Sequence, residues 1–148
     1  MGRLESRRFY VRSSPPELRL PYCRGSGGFC DRCCWGTEMP LTEEDVARLE
    51  SLGFRREEFS VVKDVVRVLR NVDGHCFFLD PSTGRCRVYE HRPLGCRLYP
   101  LVYVPGVGVD LDPECPASRL LPRSARRRIV EALAPALIEL LRMVYGGE

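Results

Sequence analysis

Apolar residues along this chain follow two different periods. Near the end, Ile129, Leu133, Leu137, Leu140, Leu141 and Val144 recur mostly three or four positions apart. That spacing predicts a helix over 122–145 with one buried face. Gly146-Gly147 would stop it, and Pro135 predicts a kink or a division within it. Val46, Leu49 and Leu52 repeat the same spacing and predict a helix over 40–53. Thr42 stands where an N-cap belongs, and Glu43, Glu44 and Asp45 fill the first turn, where the helix dipole favours negative charge. Leu41 and Val46 are placed as a hydrophobic staple, and Gly53 supplies the stop.

Elsewhere the period shortens towards two. Arg7 to Arg12 (RRFYVR) predicts a short edge strand, and Pro15-Pro16 an extended entry to the next segment. Residues 54–72 are valine-rich and predict a helical turn at 56–59, a strand at 65–69 and a turn at Asn71–Gly74. CFFLD and CRVYE flank PSTG and predict a hairpin over 75–90. Leu98–Val104 and Val107–Leu111 predict another around Pro105-Gly106. Residues 23–36 (CRGSGGFCDRCCWG) have four glycines and no period, and so predict a loop. The fold class expected is α+β: a small cysteine-rich single domain with short hairpins, a helix after the CxxCC loop and a C-terminal helix, organised around a metal or Fe–S site. A basic N-terminal arm (1–22), a cysteine-cluster domain (23–116) and a packed C-terminal helix (117–148) divide it.

The cysteines change the picture more than the bulk composition does. With 148 residues, 44% of them hydrophobic, the chain can bury a core without disulfides. No apolar run reaches the roughly 18 residues that span a membrane. The first residues lack an apolar h-region, so the expected setting is a reducing cytoplasm. There, eight cysteines point to metal or redox chemistry rather than to a disulfide framework.

Their spacing points the same way. Cys76, Cys86 and Cys96 stand ten residues apart with turn signals between them. Cys30-x-x-Cys33 lets one tight turn aim two sulfurs at one centre. Cys34 follows Cys33 directly, and in extended backbone its side chain would diverge to a second site or a supporting position. The candidate cluster ligands are therefore Cys30, Cys33, Cys34, Cys76, Cys86, Cys96 and Cys115, with Cys23 an eighth metal-ligating candidate. His75 and His91 are secondary candidates, since imidazole also binds zinc and iron. A single C-x-x-C favours an iron–sulfur cluster of the [4Fe–4S] type. Zinc, which usually takes two close cysteine pairs, is the alternative.

Charge adds little. The formal net charge is +3, and two tetrathiolate sites would bring the folded protein near neutrality. Arg123, Arg126, Arg127 and Arg128 sit at the start of the last helix, against the dipole's preference, which opens a nucleic-acid reading. A solvated basic face is the plainer reading. Arg92 and Arg97 are placed either to donate to cluster sulfurs or to pair with Glu90 or Asp80. Trp35 reads as a hydrophobic cover, and Tyr89 and Tyr99 as rim packing.

Taken together, four blocks resemble the YkgJ-like cysteine-cluster family, the CxxCxxCC zinc- or iron-chelating domain. They are Cys30-x-x-Cys33-Cys34, Pro40 to Leu49, Cys76 to Asp80, and Gly84 to Pro100 with its CRVYEHRPLGCRLYP run. Cys115-Pro116 looks like the family's final cysteine. Six residues separate Cys23 from Cys30, a wider gap than the family's usual one. The resemblance implies a metal or iron–sulfur centre but no reaction for a lone domain. The expectation is a small iron–sulfur or zinc protein in an electron-transfer or accessory role, working with a protein partner. An oxidoreductase, or a component of a protein-methylation system, is a second reading; an RNA- or protein-binding module with structural zinc is a third. No Gly-rich nucleotide loop, catalytic triad or metalloprotease motif is present.

Overall fold

The structure, a computed structural model, describes residues 9–20 and 32–146. Cys23, Cys30, most of the glycine-rich loop and the first two residues of the predicted RRFYVR strand lie outside them.

β1 (Tyr10–Ser13) pairs antiparallel with β2 (Pro16–Arg19). The predicted strand thus has a partner that proline disguised: Pro16 opens β2, a position where its missing N–H costs the ladder little. α1 (Glu43–Ser51) starts at Thr42 as expected. The Thr42 hydroxyl accepts from Asp45 N, and the Asp45 carboxylate accepts from Thr42 N, both at 3.0 Å. Val46 and Leu49 are buried, but Leu52 falls at the C-cap, one residue past the end of the helix, and is exposed. Gly53, with φ +105°, takes the chain out of the helix in a conformation that a side chain resists.

α2 (Arg56–Phe59) leads into β3 (Ser60–Lys63), which pairs with β4 (Val66–Leu69). Sequence reasoning found β4 and missed β3. The predicted turn at Asn71–Gly74 is itself a tiny hairpin of β5 (Asn71–Val72) and β6 (His75–Cys76). Asp73 (φ 54°) and Gly74 (φ 88°) form its two-residue turn, and positive φ at both suits the twist of the flanking strands.

The 75–90 region differs from the single hairpin expected. β7 (Leu79–Asp80) pairs with β8 (Arg85–Cys86), while Cys76 pairs back to Asn71. Beyond Cys86 the chain turns through a 3₁₀ segment, Tyr89–His91, instead of continuing as a strand. The stretch read as a turn before Leu98 is α3 (Leu94–Leu98). β9 (Leu101–Val104) and β10 (Gly108–Leu111) then form the expected hairpin around Pro105-Gly106. α4 (Arg123–Leu141) continues through Pro135 as one helix, with a wider last turn over Arg142–Gly146. Among the described residues no helix is long and apolar enough to cross a membrane.

Two cores result. Leu18 and Leu20 from the first hairpin, Leu101 and Leu111 from the last, and Ile129, Leu133, Leu137 and Leu140 of α4 make one. Val46, Leu49, Phe59, Leu69, Phe78, Leu79 and Val88 make the other. α3 lies between them: Leu98 packs in the first core, while Cys96 packs against the second. A Cβ at Gly95 would run into the Met39 sulfur and reach Leu140 at 3.5 Å, so glycine lets α3 sit close to both neighbours.

This layout separates structural from surface leucine-type positions on α4. Leu133 is fully buried and Ile138 is 47% exposed. Leu133→Ala is expected to cost about 3 kcal/mol in urea unfolding, whereas Ile138→Ala should stay within about 0.5 kcal/mol of the parent.

Candidate metal centre

The seam between the two cores holds a cavity of about 90 Å³. That exceeds the roughly 30 Å³ that one water occupies in the liquid. Cys33, Cys34, Cys76, Cys86 and Cys96 all line it. Leu18, Leu69, Phe78 and Val88 supply apolar wall, and Arg92 is the charged side chain in the lining. The thiols arrive on four separate pieces of backbone: a 3₁₀ turn over Arg32–Cys34, then β6, β8 and α3.

Each piece is fixed locally. The 3₁₀ turn is tied to the β5–β6 turn by Gly36 N donating to Gly74 O at 2.8 Å, and by Trp35 packing edge-on against His75 at 5.1 Å. Trp35 remains half open to solvent and does not line the cavity, so it covers His75 and not the thiols. Asn71 clamps the next residues, accepting from Thr37 N at 3.1 Å and donating to Thr37 O at 2.8 Å. Extended backbone would have turned Cys33 and Cys34 apart. The 3₁₀ turn leaves both facing one cavity, their thiols hydrogen-bonded to each other.

β6 and β8 aim Cys76 and Cys86 inward while their neighbours' amides point at sulfur. Phe78 N donates to Cys76 Sγ at 3.4 Å, and Val88 N donates to Cys86. Such N–H···S contacts favour thiolate and are a usual accompaniment of sulfur-ligated metals. α3 carries Cys96, and the buried Asp45 of α1 accepts from Leu94 N at 3.0 Å, so one carboxylate caps two helices.

Electrostatics at the seam is a contest between burial and one guanidinium. Burial pushes Cys76 up to about 11, with the Cys86 thiol adding to it. Burial also raises Cys86 and raises Cys96 strongly; Cys76, Cys86 and Cys33 push Cys96 further. Cys33 is raised mainly by its hydrogen bond with Cys34 and then by burial. As a residue it is exposed, yet its sulfur is turned into the cavity. Arg92 opposes the shift at Cys33, Cys86 and Cys96. Without a metal Cys33, Cys76, Cys86 and Cys96 therefore stand protonated near neutrality.

The donor chemistry fits a soft ion. Among the described residues the lining offers five thiols and no carboxylate or imidazole. Soft sulfur donors select zinc or iron–sulfur clusters, and the all-oxygen shells of calcium or magnesium have no counterpart here. The thiols stand around the cavity without closing on one point: no group of three or more His, Cys, Asp or Glu among the described residues already meets as an ion's shell.

Other candidates lie elsewhere. His75 is buried with Nδ1 at 2.9 Å from Cys76 O, and His91 is exposed; neither lines the cavity. Cys115 sits in the first core and does not line the cavity, though it acts electrostatically on Tyr99, which does. Tyr99 itself donates to Asp112. Cys23 and Cys30 lie outside the described residues. Arg92 pairs with Glu17 rather than with Glu90 or Asp80, and Glu90 is taken by Arg19. Nothing in the spacing marked Glu17 as part of this region; an acidic residue alternating with buried Leu18 and Leu20 was the available signal. The basic cluster on α4 is partly committed to the fold. Arg126 donates to Ser118 O at 2.9 Å, and Arg128 stacks on Phe9 at 5.1 Å; Arg123 and Arg127 are exposed.

Comparison with known proteins places these residues in context. The family described as "CxxCxxCC: Putative zinc- or iron-chelating domain" matches residues 22–118, a span that includes every cysteine. An archaeal protein named "Uncharacterized protein MJ0661", from Methanocaldococcus jannaschii, is 35% identical over 88 residues, 53% of this chain and 47% of that protein. The chain thus spans about half the length of the curated relative it matches. No solved structure matches.

The raised thiols make a pH prediction for the metal-free protein. Cys76 moves from 9.0 to about 11 on folding. A thiol raised in the folded state stabilises it below the unfolded value, and that contribution is lost as pH climbs through the folded one. Unfolding free energy should fall by about 2–3 kcal/mol between pH of about 9 and about 11 from Cys76 alone, measured by urea titration at each pH. Cys76→Ala should make that slope shallower by its share, leaving what Cys33, Cys86 and Cys96 contribute.

Proposed function

Because the chain belongs to the CxxCxxCC family of zinc- or iron-chelating domains, we propose that it carries an iron–sulfur cluster at the seam of its two cores and acts in electron transfer or as an accessory to a larger system. The observation that carries this reading is five thiols from four separated segments lining one apolar-walled cavity. Four of them suffice for a [4Fe–4S] centre, and a cluster accepts one local group plus remote thiolates. Cys76, Cys86 and Cys96 serve as ligands together with Cys33 or Cys34. The cluster would supply one-electron chemistry when bound. The chain's own residues hold the sulfurs, donate to them from the Phe78 and Val88 amides, and keep water away with Leu18, Leu69, Phe78 and Val88. A reducing compartment, where the thiols stay reduced, is part of this proposal.

Anaerobic purification with iron, sulfide and zinc analysis tests it. The expected result is a brown protein with iron and acid-labile sulfide in equal amounts. A colourless protein holding stoichiometric zinc would replace the cluster with a structural or catalytic zinc site. Cys76→Ser, Cys86→Ser and Cys96→Ser should each lower the bound metal to less than about a tenth of the parent. Retained metal in all three would remove these thiols from the centre. Loading should release protons, because thiols that are neutral in the metal-free protein must ionise to bind.

A further inference from the structure

Arg92 is a buried cation at the edge of the thiol cavity, with a seat of its own. It is 8% exposed and lines the cavity. Its Nε donates to Tyr89 O at 3.0 Å and its Nη1 to Cys96 O at 3.3 Å. Its plane lies over the Tyr89 ring at 4.1 Å. Its Nη2 donates to Glu17 Oε2 at 2.7 Å, across 75 residues of sequence. Glu17 is also buried, and it is shared: Arg12 reaches Oε1 at 3.0 Å and Arg19 reaches Oε2 at 2.7 Å. Burial pushes the Glu17 carboxyl up, but Arg19 and Arg92 more than offset this and hold it below the usual range.

Sharing matters for the charge balance. Three guanidiniums meet Glu17, and only Arg19 has a second carboxylate, Glu90, so three cations face two anions and Glu17 does not fully cancel Arg92. Surplus positive charge is left next to a cavity whose bound centre would be surrounded by thiolates. In a low-dielectric pocket a fixed cation beside an anionic group is worth far more than in water. A guanidinium suits the place: it stays charged when buried and uses its fork to grip two carbonyls and a carboxylate at once.

We infer that Arg92 is the fixed countercharge of the thiolate centre, and that Glu17 of the N-terminal hairpin is the positioning residue that seats it. This inference rests on the proposed metal-binding role. It makes the first hairpin part of the centre through a charged residue, beyond the apolar wall that Leu18 supplies. The thiolates' negative charge is then balanced from within the protein, and anchoring Arg92 at Tyr89 and Cys96 ties that balance to the backbone carrying one of the sulfurs.

The test compares metal affinity of the full chain with Co²⁺ as the probe, read by thiolate-to-cobalt absorption under reducing, oxygen-free conditions. Two variants separate charge from packing. R92K keeps the cation without the fork. The double variant E17Q/R92M removes the buried pair together, which avoids leaving one buried charge unpaired and keeps the fold within reach. Thermal melting of the metal-free forms checks that both fold. E17Q/R92M is expected to bind Co²⁺ about 10- to 100-fold more weakly than the parent, and R92K to stay within about threefold of it. E17Q alone should weaken binding while adding little to R92M, because the carboxylate acts through the guanidinium. Parent-like affinity in E17Q/R92M overturns the inference, as does R92K falling as far as the double variant, which would make the role one of packing. A parent protein that takes up neither Co²⁺ nor a reconstituted cluster removes the metal-binding reading itself, a result distinct from either of these.

Discussion

A thiol withdrawn from water resists ionising, and this constraint organises the seam of the molecule. Burial is the main cause that moves Cys76 from 9.0 to about 11, and neighbouring sulfurs raise Cys96 further. A chain that gathers Cys33, Cys76, Cys86 and Cys96 in this way must supply something that favours their anionic form. Backbone amides do so at Cys76 and Cys86, and Arg92 does so at Cys33, Cys86 and Cys96. A bound soft cation would complete the balance.

The two cores follow from the same requirement. Neither surrounds the cavity by itself: the first contributes Leu18, the second Leu69, Phe78 and Val88. α3 joins them, held at its start by Asp45 from α1 and close to Met39 and α4 through Gly95. Buried carboxylates therefore do much of the joining. Asp45 closes a capping box and caps α3, while Glu17 collects three arginines. Each is far from solvent, where an unpaired charge would be costly, so each is surrounded by donors. The arginine cluster on α4 belongs in part to this scaffold, since Arg126 and Arg128 have partners within the fold.

Short-range features were legible in the residues. The Thr42 cap, the Gly53 stop, the β9–β10 hairpin and the buried face of α4 all appear where spacing and turn chemistry put them. Errors gathered where a short segment could satisfy two periods. CFFLD and CRVYE alternate well enough for one long hairpin, yet Cys76 pairs back to Asn71, because a two-residue turn at Asp73-Gly74 closes sooner than the four-residue loop at PSTG. RPLGCRL carries a turn-like Pro-Leu-Gly, yet it forms α3, because the Asp45 carboxylate supplies the cap that its own sequence lacks. Pro135 did not divide α4, whose flanking Leu133 and Leu137 remain buried in one core.

Residue order alone was enough for most helices, the β9–β10 hairpin and the resemblance to a zinc- or iron-chelating family, because caps, turns and cysteine spacing act over a few neighbouring residues. Folding in three dimensions was needed to place Cys34 at the same cavity as Cys33, to put Cys115 in the first core, and to match Arg92 with Glu17. Those contacts join positions as much as 75 residues apart. Their geometry exists only once two apolar cores have packed and set the distance between the backbones that carry them.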